Sequence, residues 1–297
     1  MAEYVLYNYT PSLAVAVIAL LLFLAATIAH IFLAIKHRLK FLIAFIIGGF
    51  FETIGYAARA VNAHQAPNYG TMPYAMQSVF ILLAPSLFAA SIYMVLGRLI
   101  RRVDGDSRSL IKSTKLTKIF VVGDVLAFLV QSGGMYHHDS DLMSRIVVNQ
   151  RYVGGAILTG AKSASKMKLG ENVIIVGLFV QIIFFGFFVI VSVIFHKRIV
   201  ANPTTESVTC TVNWKRYLFI LYFASAMIMI RCIYRVVEYI QGQTGVLQSH
   251  EYYAYMFDAF LMLQVMVVFV IFHPSQVLSR DTPKVDDTEL IYQRLNE

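Results

Sequence analysis

Apolar residues run along this chain in seven long blocks, roughly 13–35, 41–62, 74–98, 117–136, 172–195, 217–240 and 252–273, with polar connections between them. Each block is about 20 residues or longer, and at ~1.5 Å rise per residue a helix of that length crosses the ~30 Å hydrocarbon core of a bilayer. None alternates with period two, which excludes a transmembrane barrel and leaves helices, whose backbone groups are satisfied within the segment. The pattern predicts an all-α integral membrane bundle of seven transmembrane helices over 13–273, with a short extracellular tail 1–12 and a cytosolic tail 274–297. The first block reads as a span and not as a cleaved leader, because no basic residue precedes it and Lys36, Arg38 and Lys40 follow it. The tail after Pro274 mixes acids, bases and polar residues and is expected to be disordered. No internal repeat emerges, and seven spans do not divide into two equal inverted halves.

Composition agrees with lipid as the solvent: 58% of residues are hydrophobic and 14% charged, where soluble domains carry about a quarter charged. The net charge of +8 could suggest nucleic acid, but its distribution removes that need. Fourteen Lys and Arg fall in loops 1–2, 3–4 and 5–6, against five in loop 4–5 and none in the N-terminal tail, loop 2–3 or loop 6–7. Cytoplasmic loops collect positive charge, so the N-terminus is expected outside and the C-terminus in the cytosol. Tyr4, Tyr7, Tyr9, Tyr69, Tyr74, Tyr252, Tyr253 and Tyr255 gather where an outer aromatic belt belongs, and Trp214 and Tyr217 at an inner one. Loop 137–171 contains an apolar stretch, but Arg145, Asn149, Gln150 and Arg151 interrupt it, so it reads as an outer lid or interfacial segment. Cys210 and Cys232 are too few for a disulfide scaffold.

Ionisable groups at membrane depth need a partner or a task. Span two carries Glu52 and Arg59, span three Gln77 and the kinking Pro85, span four Asp124 and Gln131, and span five Gln181. Span six carries Arg231, Arg235 and Glu238 at spacings of four and three, one charged stripe, and span seven Asp258. Most of these fall between mid-membrane and the outer surface, with Glu52 near the midplane and Asp124 further in. That placement predicts an outward-facing polar cavity above an apolar inner plug. The bland alternative is that the charges pair off and fix helix packing; the functional one is a site for an amphiphile's head group.

Of the eight histidines, His30, His196 and His273 lie at inner span ends. No pair has the helical three- or four-residue spacing of a zinc site, and no metal or other cofactor is expected. His37 and His196 read as solvated. No G-x-x-x-x-G-K-[ST] run is present, so active export would need a proton gradient acting on Glu52, Asp124 or Asp258, or a partner.

The motifs together resemble the fungal RTA-like proteins, also called the lipid-translocating exporter family. The resemblance rests on Tyr7-Asn8-Tyr9-Thr10-Pro11-Ser12, Glu52-x-x-Gly55-Tyr56-x-x-Arg59, Gln77-Ser78 with Ala84-Pro85, and Ala89-Ala90-x-x-Tyr93. It continues through Asp124, Gln131-x-Gly133-Gly134, Gly177-x-x-x-Gln181, Arg231-x-x-Tyr234-Arg235-x-x-Glu238, Glu251, Asp258 and His273-Pro274. Loop 4–5, with its basic stretch from Arg145 to Lys168, departs from the family's usual segment. The resemblance implies a seven-helix plasma membrane protein without enzymatic activity, associated with resistance to toxic amphiphiles and with sphingoid long-chain bases, sterol analogues or porphyrins.

The expected function is therefore translocation of a membrane lipid or amphiphilic small molecule, with a seven-helix receptor or sensor for a lipid-like ligand as the alternative. Arg59, Arg231 and Arg235 are expected to face a head group or to pair with Glu52, Glu238 and Asp258. Gln77, Gln131 and Gln181 would supply neutral hydrogen bonds, and Asp124 proton linkage. A homo-oligomer is left open; no nucleic acid partner is expected.

Overall fold

The computed structural model describes residues 7–133, 164–210, 213–242 and 245–275. Among them every predicted block is helical and no strand occurs. Helix α1 spans Leu13–Lys36, and a 3-10 turn at Lys40–Leu42 leads into α2, Ile43–His64. Then come α3, Thr71–Arg102, α4, Ser113–Gly133, and α5, Ala164–Ala201. A short helix at Thr205–Thr209 precedes α6, Trp214–Gln241. The last long helix, α7, runs over Glu251–Ile271 and takes a π turn at Tyr255–Ala259.

Six of these helices are long and apolar enough to cross a membrane: α1, Lys40–His64, Met72–Arg102, Asn172–Ala201, α6 and α7. Each helix packs on its neighbour in sequence, α7 returns to α1, and α3 crosses to touch α6. Apolar side chains both fill this ring and coat it. Phe45, Phe88, Ile92, Phe120, Phe188, Met262 and Phe269 are buried, while Ile35, Phe32 and Ile183 stand 72%, 63% and 66% exposed. Such an apolar exterior suits hydrocarbon and would be a liability in water.

Where helices come closest, a glycine replaces a side chain. A Cβ on Gly177 of α5 would lie 2.8 Å from the Ala127 carbonyl oxygen of α4, and one on Gly55 of α2 would lie 2.5 Å from Cγ1 of Ile81 on α3. Close backbone approach of this kind carries helix association in lipid, where apolar side chains gain nothing by leaving the solvent.

Several expectations shift. Helix α5 begins at Ala164, eight residues ahead of the predicted block at 172, so the end of loop 137–171 is helical. The rest of the proposed lid, Tyr4 and the tail from 276 lie outside the described residues. Trp214 and Tyr217, read as belt residues, are buried in protein, with the Trp214 indole donating to the Ser207 carbonyl at 3.0 Å. His196, read as solvated, packs against Trp214, Phe219 and Tyr222 at ring separations of 6.4, 5.7 and 5.8 Å. The residues around Thr205–Thr209 supply the carbonyl that draws the indole in, which hydropathy alone does not register.

Gly177→Ala is expected to destabilise the bundle by about 1–3 kcal/mol, because the new methyl meets backbone that cannot rotate away. Thermal unfolding in a fixed detergent measures this, and an unchanged midpoint would show that α4 and α5 do not approach as described.

Candidate functional site

A cavity of about 100 Å³ lies where the N-terminal segment meets the ends of α2, α3, α6 and α7. Helical spacing explains its composition. Tyr56 and Arg59 are one turn apart on α2, Tyr74 and Gln77 one turn apart on α3, and Arg235 and Glu238 one turn apart on α6. Asp258 comes from the π turn of α7, whose longer i→i+5 bonding locally widens a helix and often marks a functional position.

The floor of the cavity is an ionic clamp. Asp258 accepts from Arg231 Nε on one oxygen and from Arg235 Nη2 on the other, so two arginines four apart on α6 close on one carboxylate. Arg235 Nη1 also donates to Glu238 at 2.8 Å, and the Tyr234 hydroxyl to the same carboxylate at 3.3 Å. Arg231 and Asp258 are 1% and 2% exposed. Arg231 has a further acceptor, the carbonyl of Ile81, 2.6 Å from Nη2. Four residues on from Ile81 in α3 stands Pro85, which has no N–H to give. The proline thus frees a backbone carbonyl at membrane depth, and an arginine from α6 takes it.

The upper wall is aromatic. Arg59 donates from Nε to Tyr255 at 3.0 Å, and from Nη2 to Tyr9 at 2.8 Å and to Glu251 at 2.9 Å. Its guanidinium carbon lies 5.9, 5.7 and 5.1 Å from the ring centres of Tyr7, Tyr9 and Tyr255. The N-terminal segment is tied in by its own bonds. Tyr7 donates to Gln77 at 2.7 Å and accepts from Asn62 at 3.2 Å, and the Ser12 amide donates to both Glu251 oxygens at 3.1 and 2.9 Å. Burial pushes the Tyr7 phenol up to about 12 against the opposing pull of Arg59, so it remains a donor. Six tyrosines in all line the cavity: Tyr7, Tyr9, Tyr56, Tyr74, Tyr239 and Tyr255.

Of the sequence candidates, Arg59, Gln77, Arg235, Glu238 and Asp258 line the cavity, and Arg231 braces its floor. Arg59 pairs with Glu251, while Glu52 lies two turns away on the same helix. Glu52 is 1% exposed and neither of its oxygens has a hydrogen-bond partner. Gln131 donates to Gln181 at 3.2 Å and Gln181 to Ser86 at 3.1 Å, a chain joining α4, α5 and α3 that does not line the cavity. Asp124 is also elsewhere, accepting from Tyr93 at 2.9 Å with its other oxygen unpartnered.

Sequence reasoning missed the tyrosines. Tyr7, Tyr9, Tyr74 and Tyr255 were expected in an interfacial belt, and they form the cavity wall. The signal available was Glu251, an acid in a connection that lacks Lys and Arg, with no local partner to explain it. At the opposite end, His30 Nε2–H donates to the Met266 carbonyl at 3.0 Å, and His273 lies 6.5 and 5.6 Å from the rings of His30 and His37. Among the described residues no group of three or more His, Cys, Asp or Glu side chains is placed to hold a metal ion.

Comparison with known proteins accords with these features. A family model described as RTA1 like protein matches residues 45–281. Protein RTA1 of Saccharomyces cerevisiae is 32% identical over 294 residues, covering 91% of this chain and 84% of that one. Protoporphyrin uptake protein 1 of the same yeast is 33% identical, covering 90% and 91% of the two chains. The sphingoid long-chain base transporter RSB1 of the Lalvin EC1118 strain is 25% identical, covering 83% and 67%. No solved structure matches the chain. With six apolar helices and a family match across most of its length, this is a multi-pass membrane protein, and it belongs to the RTA1-like family.

Proposed function

We propose that the protein translocates amphiphiles that carry a single cationic head group, as a seven-span protein of the plasma membrane with its N-terminus outside. The observation that carries this reading is the cavity wall: six tyrosines around a buried cluster with Asp258 and Glu238. Aromatic faces attract cations, and cages of this kind are a recurrent way to hold an ammonium group. Arg59 already occupies part of the cage as a tethered cation, which supports its affinity for positive charge.

Size narrows the cargo. Sites for drug-sized ligands run to ~300–1,000 Å³, so about 100 Å³ suits a compact head group whose tail stays in lipid, and not a macrocycle. Sphingoid long-chain bases, the cargo named for one relative, fit this description, whereas the porphyrin named for another would need a wider opening. Resistance to toxic cationic amphiphiles would follow from moving them outward.

The seventh span in this reading is α4. Its Asp124 meets the Tyr93 hydroxyl of α3 at 2.9 Å, so the charge that lowers its hydropathy faces protein and not lipid. An odd number of spans places the termini on opposite sides, and the basic loops lie at the end away from the cavity.

Two measurements test the proposal. Proteoliposomes carrying the protein should move labelled sphinganine faster than protein-free vesicles, and Tyr255→Leu should weaken its binding about threefold or more while Tyr255→Phe, which keeps the ring, loses less. Equal effects of Leu and Phe, or no flux above background, would remove the aromatic-cage reading. For topology, Asn8→Cys should react with an impermeant maleimide on intact cells and Cys210 only after permeabilisation; the reverse labelling would invert the orientation.

A further inference from the structure

The charges around the cavity balance only when Glu52 is set aside. Arg59 is matched by Glu251, and Arg231 and Arg235 by Asp258 and Glu238. Three guanidinium groups therefore face three carboxylates, and Glu52 is the surplus. It lies on α2 one turn inward of Tyr56 and two turns inward of Arg59, on the same face of the helix, and does not itself line the cavity. Asp258, Arg231 and Arg235 act on it electrostatically from α7 and α6, and Tyr56 is the phenol nearest along its own helix. Thr27 of α1, which meets α2 one turn away at Gly49, has its hydroxyl committed to the Phe23 carbonyl; Ile81 of α3, which meets α2 at Gly55, has its carbonyl occupied by Arg231.

A carboxylate buried in this way with no hydrogen-bond partner is among the costliest arrangements a protein can hold. Every arginine nearby is already shared among other acids. One positive charge is missing, and it must come from outside the protein's own side chains.

We infer that Glu52 is an exchange site: a proton on its carboxyl supplies the missing charge when the cavity is empty, and the cationic head group of a bound amphiphile supplies it when the cavity is full. This rests on reading the cavity as a site for cationic amphiphiles, and adds to that reading the counter-ion and the residue that carries it. The step balances simply. Glu52–COOH releases one proton to water as one monovalent cation enters, leaving Glu52–COO⁻ and the bound cation with the net charge of the site unchanged. The cation need not touch Glu52. Seated against Asp258, it relieves the repulsion between the two acids and draws Arg231 or Arg235 toward the freed carboxylate, over distances at which charges in low dielectric interact strongly. A site that exchanges proton for cation can couple the outward movement of cargo to a proton gradient with no nucleotide-binding element. Asp124 is the weaker candidate for this task, because it already accepts from Tyr93 and does not line the cavity.

The test uses a cation that cannot itself titrate. The full-length protein in lipid nanodiscs, in a weakly buffered solution with a pH-indicator dye, is mixed with N,N,N-trimethylsphingosine, and binding is measured in parallel by equilibrium partition. The expected result is release of about one proton per molecule bound, retained in Glu52→Asp and abolished in Glu52→Gln, the neutral isostere of the protonated acid. Binding by the unaltered protein without proton release overturns the exchange while leaving the cationic-amphiphile reading intact. So does undiminished release from a Glu52→Gln variant that binds. Absence of any binding by the unaltered protein overturns the cavity reading, and the exchange with it. Should Glu52→Gln fail to bind, the pH midpoint of binding decides: a midpoint displaced in Glu52→Asp supports the exchange, and one identical to that of the unaltered protein overturns it.

Discussion

The structure turns on the closure of Arg231 and Arg235 upon Asp258. Two guanidinium groups and a carboxylate at membrane depth would each be prohibitive alone, and together they are tolerable because each oxygen of Asp258 receives its own guanidinium donor. That requirement reaches outward through the bundle. It sets the rotation of α6, since residues four apart must face α7 together, and it places Asp258 within the one turn of α7 that departs from α-helical bonding. It also ties α6 to α3 through the Ile81 carbonyl, joining two helices that are not neighbours in sequence. The clamp thus positions the cavity floor and joins the two sides of the bundle.

Above the clamp the molecule changes character. The half away from the cavity is rich in packed rings, with Phe45 against Phe88, and Tyr93 and Phe185 against Phe188. The half that holds the cavity is tied by hydrogen bonds from side chains, and part of its wall is the segment Tyr7–Ser12, which belongs to no helix. Tyr56 marks the boundary, stacked on Phe23 at 5.2 Å below and on Tyr255 at 6.0 Å beside the cavity. Close packing of buried rings makes the lower region stiff. Side-chain hydrogen bonds, which can exchange partners, hold the upper one.

Much of this was legible in the sequence, and the reasons are specific. Helix positions follow from runs of apolar residues long enough for a bilayer, a signal that tertiary structure rarely overrides. Arg231, Arg235, Glu238 and Asp258 stand out because ionisable groups in such runs are rare. Partner choice was not legible. Arg59 and Glu52 share a face of α2, yet they are two turns apart, and Arg59 finds Glu251 across the bundle instead. The tyrosines misled because an amphipathic ring suits both a membrane interface and a polar cavity, and only the position of the backbone separates the two. Gln131 and Gln181 look like Gln77 in sequence, but α4 and α5 carry them to the other side of α3.

Pro85 has a consequence for how this protein can change over time. The proline withdraws a donor from Ile81, and Arg231 supplies the replacement from a helix about 150 residues further along the chain. The two positions are therefore a single unit of variation. Replacing Arg231 alone leaves both the carbonyl and Asp258 short of a donor; replacing Pro85 alone brings a second donor to a carbonyl already taken. A lineage that abandons the kink should abandon the arginine with it, and the two substitutions should be less harmful together than their separate effects would suggest.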